Sequence, residues 1–70
     1  MLSQKARYAL RALITLGLRT SQGPMMIADI AEKADVPRKF LEQILLELKR
    51  RGMVHSHRGQ FGGYTPGRAP

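Results

Sequence analysis

The chain has 70 residues, of which 43% are hydrophobic and 24% charged, the composition of one small folded domain. Its 12 Lys and Arg outnumber its five Asp and Glu, which gives a formal net charge of +7. Because it contains no cysteine, a disulfide framework, a thiolate metal site and a thiol nucleophile are excluded. No stretch approaches the ~20 apolar residues of a membrane-spanning helix, and no acid/base pair or nucleophile indicates an enzyme.

The basic residues are concentrated towards the two ends of the chain. Residues 1–27 carry four basic and no acidic side chains, residues 28–48 carry three basic and five acidic ones, and residues 49–70 carry five basic and no acidic ones. This distribution concentrates positive potential on parts of the surface, where it attracts polyanions. Nucleic acid is therefore the first candidate partner, and an anionic membrane surface is the second.

The first predicted helix runs from Ser3, its N-cap, to about Thr20. Its apolar residues follow helical spacing and are expected to face the core: Ala6, Ala9, Leu10, Leu13, Ile14 and Leu16 to Leu18. Residues 22–24 interrupt this pattern. In the short apolar segment that follows, Met25 and Met26 are expected to fill the core, and the segment itself is suited to pairing as a strand.

A two-turn helix is predicted over residues 28–34, with Ile30, Ala31 and Ala34 facing inward. The connection that follows, residues 35–37, is tight. Pro37 suits the first turn of a third helix, because its missing N–H would have no partner there. A side-chain cap for that helix is expected from Asp35 or from the neighbour of the proline.

The third helix is the most strongly indicated element. Its apolar residues recur at i, i+1, i+4, i+5 and i+8 and are Phe40, Leu41, Ile44, Leu45 and Leu48. Gly52 suits the left-handed residue that ends a helix. The basic residues near its end complement the negative end of the helix dipole, which explains part of that run without a function: Lys49, Arg50 and Arg51.

Beyond Gly52 the periodicity becomes that of strands. Residues 53–58 and 63–65 are predicted to form a β-hairpin around a glycine-rich tip at residues 59–62. Residues 1–66 are therefore expected to form one domain, and residues 67–70 have the composition of a linker or tail. Three helices followed by a basic hairpin predict a mainly α fold with a small β-hairpin, the winged helix-turn-helix.

In this fold, the helix after the turn enters the major groove of DNA, and its N-terminal side chains reach base edges. The corresponding residues are Arg38, Lys39, Glu42 and Gln43. Their chemistry suits base recognition, since Arg and Lys donate to guanine, Gln pairs with adenine and Glu accepts from cytosine. The alternative is an ordinary solvated helix face, with Arg38 and Glu42 as an i, i+4 pair. Leu46 falls on the same face, where it would contact a thymine methyl, pack on another part of the protein or simply be exposed.

The hairpin is basic and suits a wing laid against phosphates or in a minor groove. Further candidate phosphate contacts are Tyr8, Arg50, Arg51 and His57, although a tyrosine at the position of Tyr8 serves equally well in packing. His55 and His57 lie two apart on a strand, but two ligands without a cysteine or carboxylate are too few for a metal site.

Four segments in this order carry a resemblance to a known family: ARYAL at 6–10, IADIA at 27–31, FLEQIL at 40–45 and RGQFGGY at 58–64. Together they resemble the bacterial IscR/Rrf-type transcription regulators over nearly the whole chain. The resemblance implies a dimeric DNA-binding repressor or dual regulator, and the expected partner is double-stranded DNA with a two-fold operator. It implies that Glu42 and Gln43 read bases and that Arg58, at a wing tip with Gly59 and Gln60, enters the minor groove. The lack of cysteine fits a reducing cytoplasm, where such a regulator is expected to act.

The sequence departs from the family pattern in three respects. Pro37 stands where family members often have a capping serine, so a side-chain cap or phosphate contact is expected to be lost. Pro66 stands where the second wing strand usually has an apolar residue, which puts its pairing in doubt. The half that follows in the family holds the dimerisation helix and, in some members, the cysteines of an iron-sulfur cluster. We therefore expect a DNA-binding domain without its sensor half and without a cofactor, dimeric only in the full-length context.

A winged helix that binds a protein or RNA is the alternative function, and the fold alone does not separate the two. A protein-docking surface is expected to present a contiguous apolar patch in place of the polar face. Only Leu46 suggests such a patch.

Overall fold

Three helices and a two-stranded antiparallel sheet make up the fold. The computed structural model describes residues 2–18, 23–59 and 62–67. In chain order the elements are α1 (Gln4–Gly17), α2 (Ile27–Ala34), α3 (Arg38–Arg50), β1 (Val54–His57) and β2 (Gly63–Pro66). The predicted fold class, a mainly α helix-turn-helix closed by a hairpin wing, is confirmed.

Helix α1 begins where the sequence predicts. The Ser3 hydroxyl accepts a hydrogen bond from the Ala6 N–H at 3.1 Å and so caps the helix. The helix buries Ala12 and Leu16, and it leaves three residues exposed that were expected to be inside: Leu10, Ile14 and Leu18. That expectation was wrong because apolar residues cover more than half of the circumference of α1. Helical spacing alone then does not select the side that faces the core.

The connection between α2 and α3 also differs from the prediction. Asp35 adopts a left-handed conformation, with φ 57°, and is the C-cap of α2. Pro37 is the N-cap of α3 and not a residue of its first turn, and no side chain of the described residues caps that helix. The expected cap from Asp35 or its neighbour was therefore wrong. The Pro37 carbonyl instead accepts from the N–H groups of Phe40 (3.1 Å) and Leu41 (2.9 Å).

The hairpin pairs β1 with β2 from Val54 opposite Pro66 to His57 opposite Gly63. Pro66 is thus paired despite lacking an N–H, because both strands of a two-stranded sheet are edge strands, where proline is tolerated. Met25 extends the sheet as predicted. Its N–H donates to the Tyr64 carbonyl at 2.9 Å, and its carbonyl accepts from the Tyr64 N–H at 2.8 Å.

The core lies where the three helices meet the hairpin, and among the described residues it buries no polar or charged side chain. It consists of Ala12, Leu16, Met25, Ile30, Ala34, Val36, Leu41, Ile44, Leu45, Leu48 and Val54. Met26 was expected to fill the core but is 56% exposed, because the neighbouring Met25 takes the inward position. Phe40, the first residue of the apolar pattern of α3, is 51% exposed beside the buried Leu41. None of the described helices is both long enough and apolar enough to cross a membrane.

Candidate nucleic-acid interface

Helix α3 has a polar side in solvent and an apolar side in the core. The four predicted base-reading residues are all exposed: Arg38, Lys39, Glu42 and Gln43. The residues on the other side are buried: Leu41, Ile44, Leu45 and Leu48. At about 3.6 residues per turn, Leu46 lies in the middle of the exposed side, and it is 51% exposed. The structure therefore brings the predicted residues together on one accessible surface, the polar face of α3.

Ion pairing within the domain does not occupy this polar face. Among the described residues, the single ion pair joins Lys5 Nζ of α1 to Glu47 Oε1 at 3.2 Å, on another side of α3. Arg38 and Glu42 do not pair with each other. Glu42 and Gln43 also make no side-chain hydrogen bond within the described part of the chain, so their polar atoms are available to a partner.

A cleft of about 270 Å³ lies between α1 and α3, next to the polar face. Its lining residues are Gln4, Lys5, Tyr8, Phe40, Gln43 and Ile44. The rings of Tyr8 and Phe40 lie 6.2 Å apart between centroids, at an interplanar angle of 40°. Gln43 thus belongs both to the polar face and to the edge of this cleft.

Two of the three residues predicted for the tip of the wing lie in the described part of the chain. Arg58 and Gly59 follow β1 directly and are exposed, whereas Gln60 lies outside the described residues. Gly59 has φ 110°, a conformation that side chains rarely allow. Behind the tip, His57 Nε2 lies 2.9 Å from Thr65 Oγ1, and His55 Nε2 donates to the Gly67 carbonyl at 3.1 Å. The two histidines therefore link the strands of the hairpin while their rings remain exposed.

The predicted phosphate contacts do not form one surface. Arg50 follows Gln43 by two helical turns and shares the polar face, whereas Arg51, the C-cap, follows Glu42 by about 2.5 turns and lies on the opposite side. Tyr8 is half-buried against the core, and its hydroxyl accepts from Gln4 Nε2 at 2.9 Å. This environment favours the packing interpretation of Tyr8.

Arg11, near the interface, was not among the site residues predicted from the sequence. The Arg11 guanidinium of α1 donates to the Asp35 carbonyl at 3.2 Å, in the turn before α3. Its central carbon also lies 5.8 Å from the centroid of the Tyr8 ring. The spacing of three residues indicates contact with Tyr8 on one helix, but no local signal indicates a contact with a residue 24 positions away.

Residues 2–70 match the family model of Rrf2, described as an iron-dependent transcriptional regulator. The chain is similar to the HTH-type transcriptional regulator IscR of Xenorhabdus nematophila, with 40% identity over 67 residues, which are 96% of this chain and 41% of that protein. It is equally similar to IscR of Erwinia tasmaniensis, with 40% identity over 68 residues, 97% of this chain and 41% of the relative.

Solved structures give the same result. The fold matches T. potens IscR with a TM-score of 0.92 and 34% identity, over 100% of this chain and 51% of that one. It matches CymR, the global cysteine regulator of B. subtilis, with a TM-score of 0.91 and 36% identity, over 100% of this chain and 54% of that one. The chain thus spans about half the length of the proteins that it matches.

The residues present do not fit an iron site, although the family is described as iron-dependent. The chain has no cysteine, and the described residues include no cluster of three His, Cys, Asp or Glu side chains that would hold a metal. One nitrogen each of His55 and His57 is already engaged with the hairpin. No step of the function is therefore assigned to iron bound by these residues.

Proposed function

Because the chain belongs to the Rrf2 family of transcriptional regulators, we propose that it binds double-stranded DNA as the DNA-binding part of a bacterial repressor, with α3 in the major groove and the hairpin in the adjacent minor groove. One observation carries the proposal. The exposed side of α3 presents four polar side chains, Arg38, Lys39, Glu42 and Gln43, while its other side is held in the core. A rigid helix that offers donors and an acceptor to solvent is what base recognition requires.

Each residue of the polar face has a proposed role. Arg38 and Lys39 donate to guanine or to phosphate, Gln43 pairs with adenine, and Glu42 accepts from the cytosine amino group. The first turn of α3 contains no acidic residue, so its two cations and the positive end of the helix dipole act together on a polyanion. This arrangement costs the isolated helix stability and favours contact with DNA.

The wing and the end of α3 supply the remaining contacts. Arg58, which directly precedes Gly59, is proposed to enter the minor groove, with Gln60 beside it. Arg50 and His57 are proposed to contact phosphates, and Arg51 and Tyr8 are weaker candidates because of where they lie. Phosphate contacts fix the register of the protein on the duplex, and base contacts select the sequence.

The partner is expected to be a two-fold operator, bound by a homodimer in the full-length context, in the cytoplasm and with no cofactor held by this chain. Two domains related by a two-fold axis would read two half-sites, and the symmetry of the operator would mirror that of the protein.

Selection of bound sites from random duplex DNA tests the proposal. We expect an enriched motif and binding that weakens steeply with salt, with a log–log slope of about −0.9 for each of roughly four phosphate contacts per domain. A dissociation constant that does not change with salt, or the absence of any enriched sequence, would contradict sequence-specific DNA binding.

A protein-binding or RNA-binding winged helix is the second candidate, favoured by the exposed Leu46 in the middle of the polar face. Competition of structured RNA against the selected duplex distinguishes the RNA alternative. Stronger competition by RNA than by random duplex DNA would support it.

A further inference from the structure

From the contacts of α1 we infer that Arg11 is a positioning residue, which holds the first turn of α3 in the orientation required for sequence discrimination. The inference rests on the proposed function of α3. Arg11 belongs to a different helix from the base-reading residues and is separated from them by the whole of α2. It nevertheless contacts the turn before α3 directly, and it reaches the first turn of α3 through Tyr8.

The first contact is at the turn. Arg11 Nη1 donates to the Asp35 carbonyl at 3.2 Å. Asp35 is the one residue other than glycine with positive φ among the described residues, at 57°, and this left-handed conformation ends α2. A cationic donor on its carbonyl stabilises that conformation, since hydrogen bonds that involve a charged group are stronger than neutral ones.

The second contact is with Tyr8 of α1, whose ring lies beside that of Phe40 in the first turn of α3. The Arg11 guanidinium lies 5.8 Å from the centroid of the Tyr8 ring, within the range of a cation–π interaction. The Tyr8 ring lies 6.2 Å from that of Phe40, and Gln4 Nε2 fixes the Tyr8 hydroxyl at 2.9 Å. Arg11 therefore contacts Asp35 directly and Phe40 through Tyr8.

Helix α3 needs such support because its own N-terminus lacks it. No described side chain caps α3, and the first turn contains no acidic residue to complement the helix dipole. Arg38 and Lys39 place positive charge at the positive end of the dipole. Arg38 and Lys39 thus lie on a turn that has neither a side-chain cap nor an acidic residue, and the contacts with α1 support it beside the buried Leu41.

Arg7 provides a matched control. It lies one turn before Arg11 on α1, is exposed, carries the same charge and makes no side-chain hydrogen bond to another described residue. Arg11→Met and Arg7→Met remove one positive charge each and keep an unbranched stem of similar length. Both variants therefore lose the same general attraction to phosphates. Only Arg11→Met also loses the hydrogen bond to the Asp35 carbonyl.

The experiment has two parts on the 70-residue chain. Amide hydrogen exchange by NMR without DNA is expected to show faster exchange at the hydrogen-bonded amides of Val36, Phe40 and Leu41 in Arg11→Met than in Arg7→Met. With the selected duplex and a random duplex, the ratio of specific to nonspecific affinity is expected to fall about twofold to tenfold for Arg11→Met, the range that corresponds to one net hydrogen bond, and to stay unchanged for Arg7→Met. Arg11→Lys, which keeps a donor and the charge but not the planar group, is expected to retain part of the ratio.

The two parts distinguish failure of this inference from failure of the proposed function. Equal exchange rates in the two methionine variants would overturn the positioning role of Arg11, whatever the result of the DNA-binding measurements. A wild-type chain without sequence preference would overturn the proposed function and the role of Arg11 in discrimination with it. If Arg11→Met is too unstable to assign, Arg11→Gln and Arg7→Gln carry the exchange comparison, because both remove the charge and shorten the side chain. Equal exchange rates in that pair at the amides of Val36, Phe40 and Leu41 would then overturn the inference.

Discussion

Gly63 lies directly against Met25, and a side chain on Gly63 would overlap the Met25 backbone. A Cβ built on Gly63 comes within 2.6 Å of the Met25 carbonyl carbon, and Gly63 has φ 151°. The next residue, Tyr64, exchanges two backbone hydrogen bonds with Met25. The second glycine of the GGY segment is thus required by the packing of the wing on the strand-like residue that precedes α2.

Gly63→Ala is therefore expected to destabilise the domain by about 2–4 kcal/mol, through backbone strain and overlap with the backbone of Met25. This is a large share of the stability of a domain this small. Gly17→Ala is the control, because nothing lies within 4 Å of its added Cβ at the end of α1, and it is expected to change stability by less than about 1 kcal/mol. Urea unfolding followed by circular dichroism measures both, and equal midpoints for the two variants would contradict the assigned role of Gly63.

The sequence predicts the order of the elements because each has a local signal: the Ser3 cap, the apolar spacing of α3 and the glycines of the hairpin. It does not predict which side of α1 is buried, because Leu10 and Ile14 are at least as hydrophobic as Ala12 and Leu16, which do face the core. It misses the contact of Arg11 with Asp35, since that contact depends on the tertiary arrangement of α1 against the turn. The polar face of α3 is predictable because the apolar stripe of a helix defines its opposite side.

Glu42→Ala is expected to broaden sequence preference more than it weakens binding. A carboxylate in a groove repels phosphates, so its place on the polar face makes sense if it accepts from cytosine or disfavours wrong bases. Its removal relieves that repulsion at noncognate sites. Fluorescence anisotropy with the selected duplex and single-base variants of it measures the change.

Glu47→Ala is the control for Glu42, since it removes the same charge from another side of α3, where Glu47 pairs with Lys5. That exposed pair contributes at most about 1 kcal/mol to stability. If Glu42→Ala lowered cognate and random-site affinity by the same factor, Glu42 would be an ordinary position on a solvated helix face.

Chelator treatment is expected to leave DNA binding by this chain unchanged, because the chain has no cysteine to hold iron or an iron-sulfur cluster. The measurement is titration of the selected duplex before and after incubation with a chelator, with added iron as the reverse test. Loss of binding on chelation would point to a metal held by other ligands, and His55→Ala and His57→Ala would then be the first variants to compare.

Arg58→Ala is expected to cost about 1–3 kcal/mol at a selected site and to weaken the preference for A·T pairs beside it. Arg58 is exposed and directly precedes Gly59, whose positive φ and missing side chain would let the hairpin tip approach DNA closely in the proposed complex. A narrow A·T-rich minor groove has an enhanced negative potential, so an arginine within it responds to the shape of the groove as well as to its charge.

Arg58→Lys separates insertion into the groove from a simple phosphate contact. An ammonium is more strongly hydrated than a guanidinium and lacks its planar fork, so lysine is expected to restore only part of the lost affinity on sites with A·T flanks. A phosphate contact would be nearly satisfied by lysine and would be lost uniformly across sequences. DNA-binding titrations of the wild-type chain, Arg58→Ala and Arg58→Lys on sites with A·T flanks and with G·C flanks distinguish the two contacts. Equal losses of affinity on both kinds of site, with full recovery by lysine, would make Arg58 a general positive charge on the wing.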